Sequence, residues 1–197
     1  MKCIYCKSIY LSLIIIFFFF KDSKAQINSK EVDVSKFQAG VEVQWYPAGW
    51  LIGPVANCFI SAKHILNFRA AINIADRHNW SGLNDDERGT GYGGSVGYRF
   101  LFTPAKNSFL IGARVDLFNT KIKWKNNIGS AQQTSGTTTT LVLQPSAELG
   151  YRIKLKNPKW NILITGGIGE EINIRTKGRD VGQGGMWLLS VSILHSL

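Results

Sequence analysis

From Phe37 onward the chain alternates, apolar then polar, in stretches too regular for loops and with the wrong period for helices. A repeat of two places successive side chains on opposite faces of a strand, so each such stretch predicts a half-buried β-strand. Eight are found: Phe37 to Tyr46, Ile52 to Ala62, Ile65 to Arg77, Gly91 to Phe102, Phe109 to Trp124, a sixth running through Leu141 to Ile153, Trp160 to Ile174, and Met186 to Leu197. The sixth is the clearest. Leu141, Leu143, Pro145, Ala147, Leu149, Tyr151 and Ile153 share one face, and Gln144, Ser146, Glu148, Gly150 and Arg152 share the other. The run Thr137 to Thr140 is β-branched and reads as its lead-in. In the seventh, Glu170 interrupts the apolar face, which a bulge or a position above the apolar layer would explain.

The connections also alternate. Short ones fall at Ala62 to His64, Thr103 to Ser108 and Lys154 to Lys159, and longer ones at His78 to Thr90, Lys125 to Gly136 and Arg175 to Gly185. Even strand number with short turns at one end and longer loops at the other is the habit of a membrane barrel that keeps both termini on its short-turn side. The fold class expected is therefore all-β, an eight-stranded antiparallel up-and-down transmembrane β-barrel over 37–197.

The faces argue the same way. The apolar faces carry no Lys or Arg in their central portions, whereas the opposite faces gather Glu42, Asp116, Glu148, Glu171, Arg69, Arg99, Arg114 and Arg152. A soluble barrel would fill its core with the apolar face and show the charges to water. Aromatic residues toward the segment ends, among them Trp45, Tyr98, Phe100, Phe109, Tyr151, Trp160 and Trp187, fit interfacial girdles.

The first 36 residues are read separately. Lys2 and Lys7 precede an apolar stretch from Ile9 to Phe20, followed by small residues at Ser23 and Ala25. This is the pattern of a secretory signal peptide cleaved after residue 25, and it is too short to span a bilayer. Residues 26–36 then form a short periplasmic lead. Of the three cysteines only Cys58 lies beyond the signal, so no internal disulfide is expected. The net charge of +10 and pI near 9.7 come from basic residues dispersed in turns and loops, which is not the footprint of a nucleic-acid surface. A mean hydropathy of -0.02 excludes a helical membrane bundle but not a barrel, whose alternation cancels in any average.

The segments GVEVQWYPAGW (Gly40 to Trp50), FRAAINIADRHNW (Phe68 to Trp80), LIGARVD (Leu110 to Asp116) and LQPSAELGYRI (Leu143 to Ile153) resemble small outer-membrane β-barrel proteins of Gram-negative bacteria, the eight-stranded class of the OmpA/OmpX type. The resemblance spans nearly all of the chain after the signal. It implies location in the outer membrane, insertion by the barrel assembly machinery, contact with outer-membrane lipids and lipopolysaccharide, and a monomer. Such proteins end in an aromatic residue. Here Leu197 takes that place, with Ile193 and Val191 at fitting positions.

The class also includes lipid-modifying acyltransferases and deacylases, so a catalytic His with Ser and carboxylate is the alternative function to weigh. His195 and Ser196 are strand neighbours and point to opposite faces, which prevents one from activating the other. His78 lies near Ser81, Asp85, Asp86 and Glu87 in a loop, where a solvated reading is simpler, and His64 in a short turn reads as water-facing. No paired spacing of metal ligands occurs, and the glycines of Gly91 to Gly97 lie in a strand with no following helix to cradle a phosphate. No cofactor, metal or catalytic residue is expected. The favoured function is a non-enzymatic envelope barrel with a side-chain-filled interior, acting through its outer loops. Two finer expectations follow: Lys121, Lys123, Lys125, Arg175, Lys177 and Arg179 cluster where lipopolysaccharide phosphates lie, and Arg114 faces Glu148 across a hairpin centred near Ala131.

Overall fold

The computed structural model describes residues 36–78, 83–104 and 107–197; the signal segment, residues 26–35, Trp80 and Ser81 lie outside this range. Among the described residues there is no helix. Eight strands follow one another: β1 (Phe37–Tyr46), β2 (Gly49–Phe59), β3 (His64–His78), β4 (Asp86–Leu101), β5 (Ser108–Asn126), β6 (Thr134–Lys154), β7 (Trp160–Lys177) and β8 (Gly184–Ser196). Each pairs antiparallel with the next, and β8 closes on β1 from Gln38↔Ser196 to Trp45↔Leu189. Closure leaves the sheet no free edge along the shared height of the strands.

Burial inverts the usual pattern. Outward positions are apolar and open, as at Ile72, Val96, Phe109, Leu149 and Ile168 (71% exposed), while inward Glu42, Asp116 and Arg99 are fully buried. On β6 the outward set from Leu141 to Ile153 spans about 41 Å at 3.4 Å per residue. A tilt near 45° reduces this to roughly 29 Å, close to the apolar band of a membrane barrel. A closed barrel with apolar flanks and enclosed charge is built for immersion in lipid, because its strands pair with one another all the way round and its buried charges are turned away from the acyl chains.

The strands run further than the alternation implies, and the difference lies at one rim. Residues 86–90, 125–126, 134–136 and 175–177 are strand, so the connections expected to be long shrink to 79–85, 127–133 and 178–183. Above the lipid both faces of a strand can be polar, and the alternation that reveals a strand disappears there. The result is a lopsided barrel. β5 and β6 have 19 and 21 residues, whereas β1 and β2 have 10 and 11 and are joined by the two-residue turn Pro47–Ala48. At the top of the short side Trp45 packs edge-on against Trp187 at 4.3 Å and lies 6.4 Å from Trp50. The opposite rim carries Phe109 against Tyr151, Trp160 against His195, and His64 bonded to Tyr98 and edge-on to Phe100. Those two aromatic rings of contacts bracket the apolar belt. His64 is therefore half-buried in a girdle and not simply water-facing.

Glu170 pairs regularly with Gly185, two residues beyond Ile168↔Trp187, so it stands above the upper girdle. The bulge of β7 lies further on: Leu141 pairs with Arg175 but Val142 with Asn173, which leaves Ile174 as the extra residue.

Candidate functional site: the buried charge layer and the outer wall

The inward face of β3 shows how the interior is layered. Ile65 belongs to an apolar cluster with Val55, Phe59, Leu101, Leu110, Leu163 and Leu194 near the short-turn rim. Arg69 enters the charged layer. Ala71 joins a second apolar cluster with Tyr46, Leu51, Phe118, Met186 and Leu188. Arg77 stands near the mouth. The alternation had marked this face as polar and missed its apolar share, because a Leu or Phe on the inner side of a strand looks like a lapse in the pattern.

The charged layer is centred on Glu42. Its Oε1 accepts from Arg69 and from Arg114, each at 2.7 Å, its Oε2 accepts from the Ser192 hydroxyl at 2.9 Å, and Arg99 lies 3.5 Å away. Asp116 takes the other arm of Arg69 at 2.6 Å and lies 3.5 Å from Arg114 Nε. Gln44 Oε1 accepts from both Arg69 and Arg114. Glu148 pairs with Arg99 at 3.2 Å. Three arginines thus meet three carboxylates with almost no access to water, which is the only arrangement in which buried charge of this density is tolerable.

Arg114 does not face Glu148. The structure pairs Arg114 with Ser146 and places Glu148 opposite Gly112, a slide of two residues. The cause is the hairpin tip, which is centred on Ser130 instead of Ala131: Asn127 and Gly129 take positive φ (53° and 81°), and Ser130 donates back to the Asn127 carbonyl. A slide of two keeps every side chain on its face but changes its opposite number. In the resulting row Gly112 lies between Arg99 and Glu148. A Cβ there would come within 2.7 Å of the Tyr98 carbonyl oxygen and 3.0 Å of Arg99 Cγ, so the missing side chain is what lets the two ions meet.

A second charged group closes the mouth. Arg77 bridges Glu171 and Glu87 (3.3 Å to the latter) and donates to the Gly182 carbonyl at 2.6 Å. Gly182 N–H donates to both Glu87 oxygens at 3.1 Å, Asn84 donates to Glu87 at 2.7 Å, and Gln144 to Glu171 at 3.1 Å. The connection after β7 is thereby drawn into the barrel, where Val181 packs on Ala75 and Ile122. Arg77 and Glu87 were missed as interior residues, and Glu87 is not part of a solvated acidic run. Parity would have found both: Arg77 shares it with Arg69 and Asn73, and Glu87 with Gly97 and Arg99. Arg152 sits at the other end and donates to the Pro104 carbonyl at 2.6 Å.

Outside, Lys121, Lys123 and Lys125 project from β5 above the belt, and Arg175 and Lys177 from β7. Arg179 is not with them. It lies over the Trp124 ring at 5.0 Å, and its carbonyl accepts from Thr138, on the inner face of the tall side. On the outer face of β3 and β4, His78 lies 3.3 Å from Asp76 and 3.4 Å from Asp86, with Arg88 threaded between both carboxylates. Three ligand-type groups do converge here. The guanidinium already occupies the space a cation would need, however, and all but Asp86 are well exposed. Glu87 points away from this group into the barrel, so the loop carboxylates expected near His78 divide between two faces. Ser196 accepts from Gln38 on the inside while His195 meets Trp160 edge-on outside, which separates that pair as well.

Such an inverted, closed, up-and-down eight-stranded barrel is the class this chain defines. No family model matches the sequence, and no curated protein does. Solved structures similar in outline are the N-terminal β-barrel domain of Pseudomonas aeruginosa OprF (14% identity, 80% of this chain and 96% of that one, TM-score 0.40), Neisserial surface protein A (12%, 82% and 94%, 0.44), and Ail, the attachment invasion locus protein of Yersinia pestis, in complex with the heparin analogue sucrose octasulfate (14%, 80% and 96%, 0.43).

Proposed function

We propose that this chain is a non-enzymatic outer-membrane protein: a closed barrel inserted by the barrel assembly machinery, monomeric, whose tall outer wall touches lipopolysaccharide. The inverted burial carries the reading. Charges such as Glu42 and Arg99 are fully enclosed while Ile72, Phe109 and Ile168 are bare, and the apolar belt has the height of a bilayer core. The interior supports a closed barrel over a pore, since apolar side chains fill the end near the termini and the 178–183 connection fills the mouth. Above the belt, Lys121, Lys123, Lys125, Arg175 and Lys177 stand at the level of phosphorylated headgroups, where charge-assisted hydrogen bonds to phosphate are available. The expected behaviour is recovery in the outer-membrane fraction, faster gel mobility unboiled than boiled, and no steady conductance in planar bilayers. Recovery in the soluble periplasm with unchanged mobility would overturn the location, and a large steady conductance would overturn the closed interior.

A further inference from the structure

The bulge at Ile174 has a chemical consequence. Ile172 faces outward, and in a regular strand Ile174 and Thr176 would follow it, turning Arg175 and Lys177 into the barrel. The extra residue reverses this: Arg175 comes opposite outward Leu141, and Lys177 opposite outward Thr139. A bulge re-aims the side chains that follow it in the strand. Here it brings two cations to the edge of an outward cleft of about 220 Å³ lined by Asn119, Thr139, Leu141, Arg175 and Lys177. Across β6, Lys121 pairs with the same Thr139.

We infer that this cleft is a binding site for the phosphate group of a membrane lipid in the outer leaflet. The inference rests on the outer-membrane reading and deepens it from a basic wall to one site. Thr139 and Asn119 offer neutral donors on the floor, and Arg175 and Lys177 supply charge from one side with Lys121 on the other. That set matches a phosphate oxygen cluster and has no carboxylate among its lining residues. The lower wall decides between a lipid and a soluble polyanion. Leu141 continues directly into outward Leu143 on its own strand and Leu117 on β5, which face the acyl chains. A ligand seated here has its charge among cations and its next atoms on an apolar surface. A soluble polyanion would leave that apolar wall unused. Lys123 and Lys125, higher on β5, line a separate cleft that also holds the Asp86 carboxylate and the Arg88 guanidinium, so an anion there meets repulsion as well as attraction.

The test places the full mature barrel in nanodiscs containing diphosphorylated lipid A, dephosphorylated lipid A, or phosphatidylglycerol. Bound lipid is counted after detergent exchange for the unmodified protein, for Arg175→Gln/Lys177→Gln, and for Lys123→Gln/Lys125→Gln, which removes equal charge from the same wall. Retention of a phosphorylated lipid by the unmodified protein is expected to fall about tenfold or more in the first variant, as loss of charge-assisted contacts implies, and less than about twofold in the second. Preference between lipid A and phosphatidylglycerol then tells which headgroup supplies the phosphate. Equal loss in both variants would overturn the cleft and leave only a diffuse basic wall. Equal retention of dephosphorylated lipid A would overturn the phosphate as the recognised group. Failure of the unmodified protein to enter the lipid bilayer would overturn the outer-membrane reading itself.

Discussion

Two layers of the interior close the same space by opposite means. Near the termini, Val55, Phe59, Ile65, Leu101, Leu110, Leu163 and Leu194 need no particular partner and are held by contact alone. One layer up, Glu42, Asp116 and Glu148 are held only because Arg69, Arg99 and Arg114 are there, and the reverse is equally true. An apolar layer loses stability in proportion to the space opened when a side chain is cut back. A charged layer loses it according to how many charges are left without a partner.

The sharpest way to break this contrast is Glu42→Ala, which strips the shared acceptor from Arg69 and Arg114 and the nearest second carboxylate from Arg99. A loss of about 3 to 5 kcal/mol is expected, read by chemical unfolding in detergent with the unboiled gel shift as the folded signal. A loss below 1 kcal/mol would mean that water reaches the layer. Leu101→Ala in the apolar layer should cost less, toward the lower end of roughly 2 to 5 kcal/mol, because the cluster lies at the rim where neighbours can close in. Its cost, measured by the same unfolding, should not respond to salt. The smallest effect is the coupling between Arg99 and Glu148. Arg99→Ala and Glu148→Ala should each destabilise, and the double variant should be milder than their sum, with an interaction of roughly 0.5 to 3 kcal/mol. Strict additivity in a double-mutant cycle would remove the 3.2 Å pair as an energetic unit.

The tall and short sides of the outer rim show where a sequence reading stops. On the short side, apolar alternation runs to Trp45 and Trp187, and the strands end where it ends. On the tall side residues 86–90 and 134–136 are strand with polar residues on both faces, and they look like loop because nothing there needs to be hidden from water. The candidate sites divide similarly. The inward placement of Glu42, Arg69, Arg99, Arg114, Asp116, Glu148, Arg152 and Glu171 follows from parity. The same parity reaches Arg77 at the end of the third stretch and, carried back into the polar residues before Gly91, Glu87. Arg179 could not be placed by it, since it lies beyond the strand and its position over Trp124 depends on how the 178–183 connection folds inward.

Strand count, closure into an inverted barrel and the face taken by each central residue are written in the local alternation, because a period of two depends only on a residue's neighbours in the chain. Which arginine meets which carboxylate is not local. It follows from a hairpin tip centred on Ser130, which slides Glu148 past Arg114 to Gly112 and Arg99 without moving it off its face. The outward turn of Arg175 and Lys177 is likewise non-local, since one extra residue at Ile174 reverses the parity of everything after it in that strand. Turn geometry and bulges shift the chain by whole residues at a small local cost. The hydrophobic pattern constrains a turn only to within an even step, and at the polar rim it leaves even a one-residue bulge free, so the pairing of charges is settled when neighbouring strands dock.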